Sequence, residues 1–149
     1  MHVNLSKYAE LFYIAHEDLW CAEQTFKGSP NNAVWSCCQA VEKTLKGLLE
    51  IYDLNDDPTH DLGVLLETVE VKHNLSTIAV NNINYLASHS QRLRYKKVKT
   101  DPTSDDAAEV IKRTKQIMQE FSDINKCALA FQEAKDEHVK MLKREYENT

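Results

Sequence analysis

The stretch Val34-Trp35-Ser36-Cys37-Cys38-Gln39-Ala40-Val41-Glu42-Lys43-Thr44-Leu45-Lys46-Gly47-Leu48-Leu49-Glu50-Ile51-Tyr52 decides the fold. Val34, Cys38, Val41, Leu45, Leu48, Leu49 and Tyr52 recur every three or four residues, the spacing that puts apolar side chains on one face of an α-helix. A strand would need alternation, which this stretch does not have. It is therefore read as a helix starting near Asn31 or Asn32, either of which can cap it, and ending in the polar loop Asn55-Asp56-Asp57-Pro58.

The same period runs outward in both directions. Upstream, Leu5, Tyr8, Phe12, Ala15, Leu19, Ala22 and Phe26 give a first helix over about Asn4 to Lys27, stopped by Gly28-Ser29-Pro30. Downstream, Leu62, Leu65, Leu66 and Val69 mark a shorter helix to about His73, with Thr59 or Asp61 as its cap. A fourth helix over about Thr77 to Tyr95 carries Ile78, Ile83, Leu86 and Leu93 inward, and Asn74 or Ser76 is placed to cap it. After the turn Thr100-Asp101-Pro102-Thr103-Ser104, the acids Asp105, Asp106 and Glu109 favour a helix N-terminus through the macrodipole. Ala107, Val110, Ile111, Thr114, Ile117, Met118, Phe121 and Ile124 form its stripe. Beyond Ile124 the stripe thins to Ala128, Leu129, Phe131 and Met141, so the tail is expected as a continuing or broken helix, partly solvated.

The expected fold is all-α, an up-and-down bundle of four to five helices, with residues 1–149 as one domain. Three Gly and three Pro in 149 residues agree with long helices and short connections. The net charge of −5 argues against a general affinity for nucleic acid, which needs clustered cations to neutralise phosphate. A local exception is Arg92-Leu93-Arg94-Tyr95-Lys96-Lys97-Val98-Lys99, where five of eight residues are cationic. Cys21, Cys37, Cys38 and Cys127 have no C-x-x-C spacing and are expected as reduced thiols. The start Met1-His2-Val3-Asn4 lacks the regions of a signal peptide, and no apolar run nears the ~20 residues that span a bilayer. A cytoplasmic protein without membrane contact is expected.

Several polar residues invite a chemical reading. On the second helix Gln39, Lys43 and Lys46 share a stripe roughly 140° from the Val41, Leu45, Leu48 face, with Glu42 between the two. Such a stripe is either a solvated face with a Glu42–Lys46 pair or a phosphate-contacting surface in which Gln39 bonds sugar or base. His60 at the start of the third helix is either a local hydrogen-bonding residue or a general acid or base. Arg94-Tyr95 offers a donor fork for phosphate beside a ring for base stacking, or equally a salt bridge and a half-buried ring. Metal chemistry has little support: Glu70-Val71-Lys72-His73 is the only well-formed Glu-x-x-His, where a di-iron bundle needs two. No metal and no cofactor is expected. His16-Glu17-Asp18 and Glu137-His138 are expected at the surface.

Gln39-Ala40-Val41-Glu42-Lys43-Thr44-Leu45-Lys46, then Thr59-His60-Asp61-Leu62 with Leu65-Leu66, then Leu86 through Arg94-Tyr95, resemble in order and spacing the HEPN family of small helical domains. The resemblance implies a bundle that is usually a homodimer, linked to nucleotide binding and RNA cleavage, often encoded beside a minimal nucleotidyltransferase and found in toxin-antitoxin or defence systems. Family members that cleave RNA do so without a metal, through Arg-x(4-6)-His. Here no His follows Arg92, Arg94, Arg113 or Arg144 at that distance, His89 precedes Arg94, and Lys96 stands where the family usually has Pro after Arg-Tyr. The expected function is binding of a nucleotide or RNA, or of a nucleotidyltransferase partner, through Gln39, Lys43, Lys46, Arg94, Tyr95 and His60. The alternatives are a metal-independent RNase toxin using His60 or His89 as acid or base, and a non-catalytic dimeric interaction protein. Whether the chain is an enzyme stays open at this level.

Overall fold

The computed structural model describes residues 6–56, 58–95 and 101–147, without the side chains of residues 91–95, 125, 146 and 147. Six helices follow in order: α1 (Lys7–Thr25), α2 (Pro30–Ile51), α3 (Leu62–Glu70), α4 (Thr77–Tyr95), α5 (Ser104–Ser122) and α6 (Asn125–Glu147). Among the described residues there is no strand, and the short connections set successive helices against one another as an all-α, up-and-down bundle.

Caps explain most of the boundaries. Pro30 occupies the first turn of α2, where its missing N–H has no partner to lose, so the helix begins at Pro30, just ahead of the asparagines expected to cap it. At the other end Asp53 takes a left-handed conformation, φ 56°, and Leu54 N–H donates back to the Leu49 carbonyl at 2.8 Å, closing the last turn. Ser76 Oγ accepts from Ala79 N–H at 3.0 Å ahead of α4. Thr103 and Asp106 form a reciprocal capping box on α5, with Asp106 N–H to Thr103 Oγ1 at 3.1 Å and Thr103 N–H to Asp106 Oδ2 at 2.9 Å. Those bonds hold the Asp106 carboxyl below its ordinary range.

α2 is the central element: it packs against α1, α3, α4, α5 and α6, and every residue from Thr44 to Leu49 is buried. One continuous apolar cluster draws on all six helices, from Phe12 and Ala15 through Leu45, Leu65, Ile83 and Phe121 to Phe131. Gly47 lets α1 approach, because a Cβ there would stand 2.8 Å from Cδ1 of Phe12 and closer still to Cε1. Phe12 in turn stacks on Phe131 of α6 with centroids 4.0 Å apart.

The structure decides between the two expectations for the tail, in favour of the broken helix, and corrects several others. The tail is a helix of its own: α5 closes at Asp123, and α6 restarts with Cys127 N–H and Ala128 N–H both donating to the Ile124 carbonyl. Its buried face is Cys127, Ala130, Phe131, Ala134 and Glu137, while Leu129 is 72% exposed and Ala128 is also outside. Tyr8 lies at the surface, and Ile78 is 68% exposed because α4 buries Ala79, Asn82, Ile83, Leu86 and Ser90, a face rotated by one residue. Leu5 and the side chain of Leu93 lie outside the described residues. The four cysteines are free, and burial pushes Cys37 and Cys127 up to about 12, leaving them thiols at neutral pH.

Candidate functional site: a carboxylate enclosed by cations

Four residues converge where α2 meets the segment before α3. The Glu42 carboxylate is 1% exposed. His60 Nδ1 lies 3.1 Å from its Oε2 and 3.2 Å from Oε1. Lys46 Nζ stands 3.4 Å and Lys43 Nζ 3.5 Å from Oε2. Both ammonium contacts are long for charge-assisted hydrogen bonds, which favour about 2.7–2.9 Å. Of these three contacts the imidazole's is the shortest, and the lysines act more as neighbouring point charges. Lys46 itself is only 9% exposed, its methylene stem packed along the helix.

The Glu42–Lys46 pair is present as expected, but the Gln39, Lys43, Lys46 stripe is not the solvated face expected with it. α2 is enclosed on most sides, so a stripe opposite the core of an outer helix here meets other parts of the bundle. Gln39 and Lys43 are half-buried. Glu42 is drawn inward and gathers the cations, as a buried charge must if its desolvation is to be offset.

Every residue of Thr59-His60-Asp61-Leu62 has its own task. Thr59 Oγ1 accepts from Asp61 N–H at 3.1 Å. Asp61 Oδ1 caps α3, accepting from Gly63 N–H at 2.9 Å and Val64 N–H at 3.2 Å. Leu62 enters the core. The bend between these anchors delivers His60 to Glu42 with the ring still 58% exposed. A carboxylate on Nδ1 holds the neutral ring with its proton there, making Nε2 the basic nitrogen.

Asp18, expected at the surface, is half-buried on α1. Burial, with the fields of Glu17 and Glu42, raises its carboxyl to about 6 against the opposing pull of Lys43. Of these groups Lys43 and Glu42 lie on α2, distant in sequence, so no local pattern announces the burial.

His89, the other candidate acid or base, is half-buried on α4 with its ring edge-on to Tyr85 at 4.8 Å. The Arg113 guanidinium lies over the same Tyr85 ring, 3.9 Å from its centroid, with Nε on Glu109 at 3.0 Å and Nη1 on Asn82 at 3.4 Å. Tyr85, Asn82 and Arg113 were not singled out by sequence, although Tyr85/His89 and Glu109/Arg113 carry the i, i+4 signal. The α4 backbone reaches Tyr95, but the side chains of Arg94 and Tyr95 and the basic run after them lie outside the described residues.

The bundle, its enclosed Glu42 and the His60 bend define a class of small all-helical domain with a charged interhelical site. The HEPN domain family matches residues 8–124, and the chain belongs to that family. The crystal structure of an archaeal HEPN homologue superposes with a TM-score of 0.64 at 22% identity, covering 79% of this chain and 97% of that one, a likeness of fold. Comparison with curated proteins finds no match. No helix among the described residues is long and apolar enough to cross a membrane.

Proposed function

We propose that the chain is a HEPN module that binds a nucleotide or RNA at the outer edge of the Glu42 site, with Lys43, Lys46 and Gln39 on α2, His60 before α3, and Arg94 and Tyr95 at the end of α4. The observation that carries this reading is His60: its ring is anchored through Nδ1 on a buried carboxylate and still 58% exposed. A preoriented imidazole beside two ammonium groups suits a phosphate oxygen, and the binding of one or two phosphates needs no general positive charge. As part of the same reading, the chain is a single domain that works as a homodimer in the cytoplasm beside a nucleotidyltransferase protein, in a toxin-antitoxin or defence system. Family resemblance alone supports that part.

The test is calorimetric titration with ATP and with a short single-stranded RNA, repeated on Lys43→Ala and Arg94→Ala, with the RNA recovered and run on a gel. Binding weakened in both variants with intact RNA is the expected result. Equal affinity in all three proteins overturns the site. A second reading, metal-independent RNA cleavage, draws on the same Glu42–His60 pair, since a carboxylate-oriented imidazole is suited to proton transfer. It requires cut RNA that His60→Asn leaves whole.

A further inference from the structure

At the break between α5 and α6 the bundle leaves a cleft of about 530 Å³, lined by none of Glu42, Lys43, Lys46 and His60 and not needed by the reading above. Its size falls within the roughly 300–1,000 Å³ of small-molecule sites. α1 contributes His16 and Leu19, α5 contributes Lys115 and Met118, and α6 contributes Phe131 and Lys135. Leu19, Met118 and Phe131 supply apolar lining, and the two lysines come from different helices. Glutamines 119 and 132 add amide groups at the rim.

His16 was expected at the surface, yet it is half-buried, packed edge-on to Phe131 at 6.0 Å and near-parallel to His138 at 6.4 Å. Its Nε2 is buried with no hydrogen-bond partner among the described residues, an arrangement that costs stability and that native folds rarely keep without a use. Burial and the fields of His138 and Lys135 lower its pKa to about 4, so the ring is neutral at physiological pH.

We propose that this cleft binds a planar aromatic monoanion, its ring laid against Met118 and Phe131 and its carboxylate or sulfonate held by Lys115 and Lys135. Methionine and aromatic side chains give favourable contacts to a flat ring. The charge balance selects a small ligand over a polynucleotide. Lys115 already pairs with Glu23 at 3.0 Å, and Asp123 also lines the cleft, so the two carboxylates offset the two lysines: one anionic group is held by direct contact with a lysine, and a chain of negative charges meets no net positive field.

The probe is 1-anilinonaphthalene-8-sulfonate, an aromatic monoanion whose fluorescence rises in an apolar site, with stoichiometry fixed by calorimetry. The wild-type protein is expected to bind one equivalent saturably. Lys135→Glu, a change at an exposed position, weakens binding roughly tenfold or more, and Ala128→Trp, also from an exposed position lining the cleft, fills it and removes binding. Lys140→Glu, on α6 but outside the cleft, leaves affinity unchanged. Near-ultraviolet circular dichroism of each variant confirms the fold. Affinity that is equal in Lys135→Glu and wild type, binding that survives Ala128→Trp, or uptake without saturation overturns the proposal. Because ATP and RNA are tested through Lys43→Ala, failure of either site is read separately from the other.

Discussion

His60 Nδ1 sits within 3.2 Å of both oxygens of Glu42, a carboxylate from the middle of α2 that is almost wholly removed from solvent. This contact ties the segment before α3 to the central helix, and it ranks the residues of the site by what their loss leaves behind. Removing Glu42 strands Lys46, which is nearly buried; removing His60 leaves Glu42 still accompanied by two lysines. Truncating one partner of a fully buried pair costs about 3–5 kcal/mol. Because His60 and Lys43 reach solvent, Glu42→Gln is expected to cost about 2–3 kcal/mol, and His60→Ala about 1 kcal/mol. Urea denaturation of the two variants checks the order, and an equal or larger loss in His60→Ala contradicts it.

Gly47→Ala tests the close approach of α1 and α2. Alanine improves helix propensity by about 1 kcal/mol, but its Cβ collides with a Phe12 ring that Phe131 holds from the other side. Overpacking of this kind costs about 1–3 kcal/mol. A net loss is expected, recovered in part by the smaller ring-free side chain of Phe12→Leu. The double-mutant cycle in thermal unfolding shows a favourable coupling if the clash is the cause.

Periodicity was enough to read five helices and the interior of α2, because apolar spacing reports a buried face wherever one side of a helix is solvated. It misplaced Ile78 by one residue of rotation, and it left the α5–α6 break open, since no Gly or Pro marks residues 123–124. The polar site was legible as residues but not as an arrangement. Quoting Glu42, Lys43, Lys46 and His60 identifies the participants, whereas their meeting at one carboxylate depends on α2 being enclosed on most sides, a property of topology. Asp18 and His16 were missed for the same reason: their environments are made by α2 and α6, distant in sequence.

Those two residues give the protein opposing responses to acid. The His16 pKa falls from 6.5 in the unfolded chain to about 4 in the fold, so its contribution is whole above pH 6.5 and is lost as pH drops toward 4. Asp18 is raised from 3.8 to about 6, so the fold takes up its proton more readily, and that contribution is present below 3.8 and lost as pH rises through 6. His16→Phe is expected to remove the acid sensitivity between pH 6.5 and 4, a difference of up to roughly 3 kcal/mol. Asp18→Asn has the reverse signature, gaining on wild type as pH climbs from 4 to 6. Melting temperatures across that range separate the two, and parallel curves for His16→Phe and wild type refute the assignment.

Asp61 connects stability to the site. Its Oδ1 satisfies two of the orphan N–H groups at the start of α3, and the same residue is joined through its own N–H to Thr59, so the cap and the bend that carries His60 form one unit. Replacing an N-cap carboxylate by alanine costs about 0.5–2 kcal/mol, while Asn keeps the acceptor and costs little. If the cap also fixes the bend, Asp61→Ala loosens the His60–Glu42 contact, and adding His60→Ala then costs less than it does in the wild-type background. A cycle of Asp61→Ala and His60→Ala, read by urea denaturation, is expected to depart from additivity by about 0.5 kcal/mol or more. Strict additivity separates the two functions of the bend and makes the His60–Glu42 contact independent of the cap.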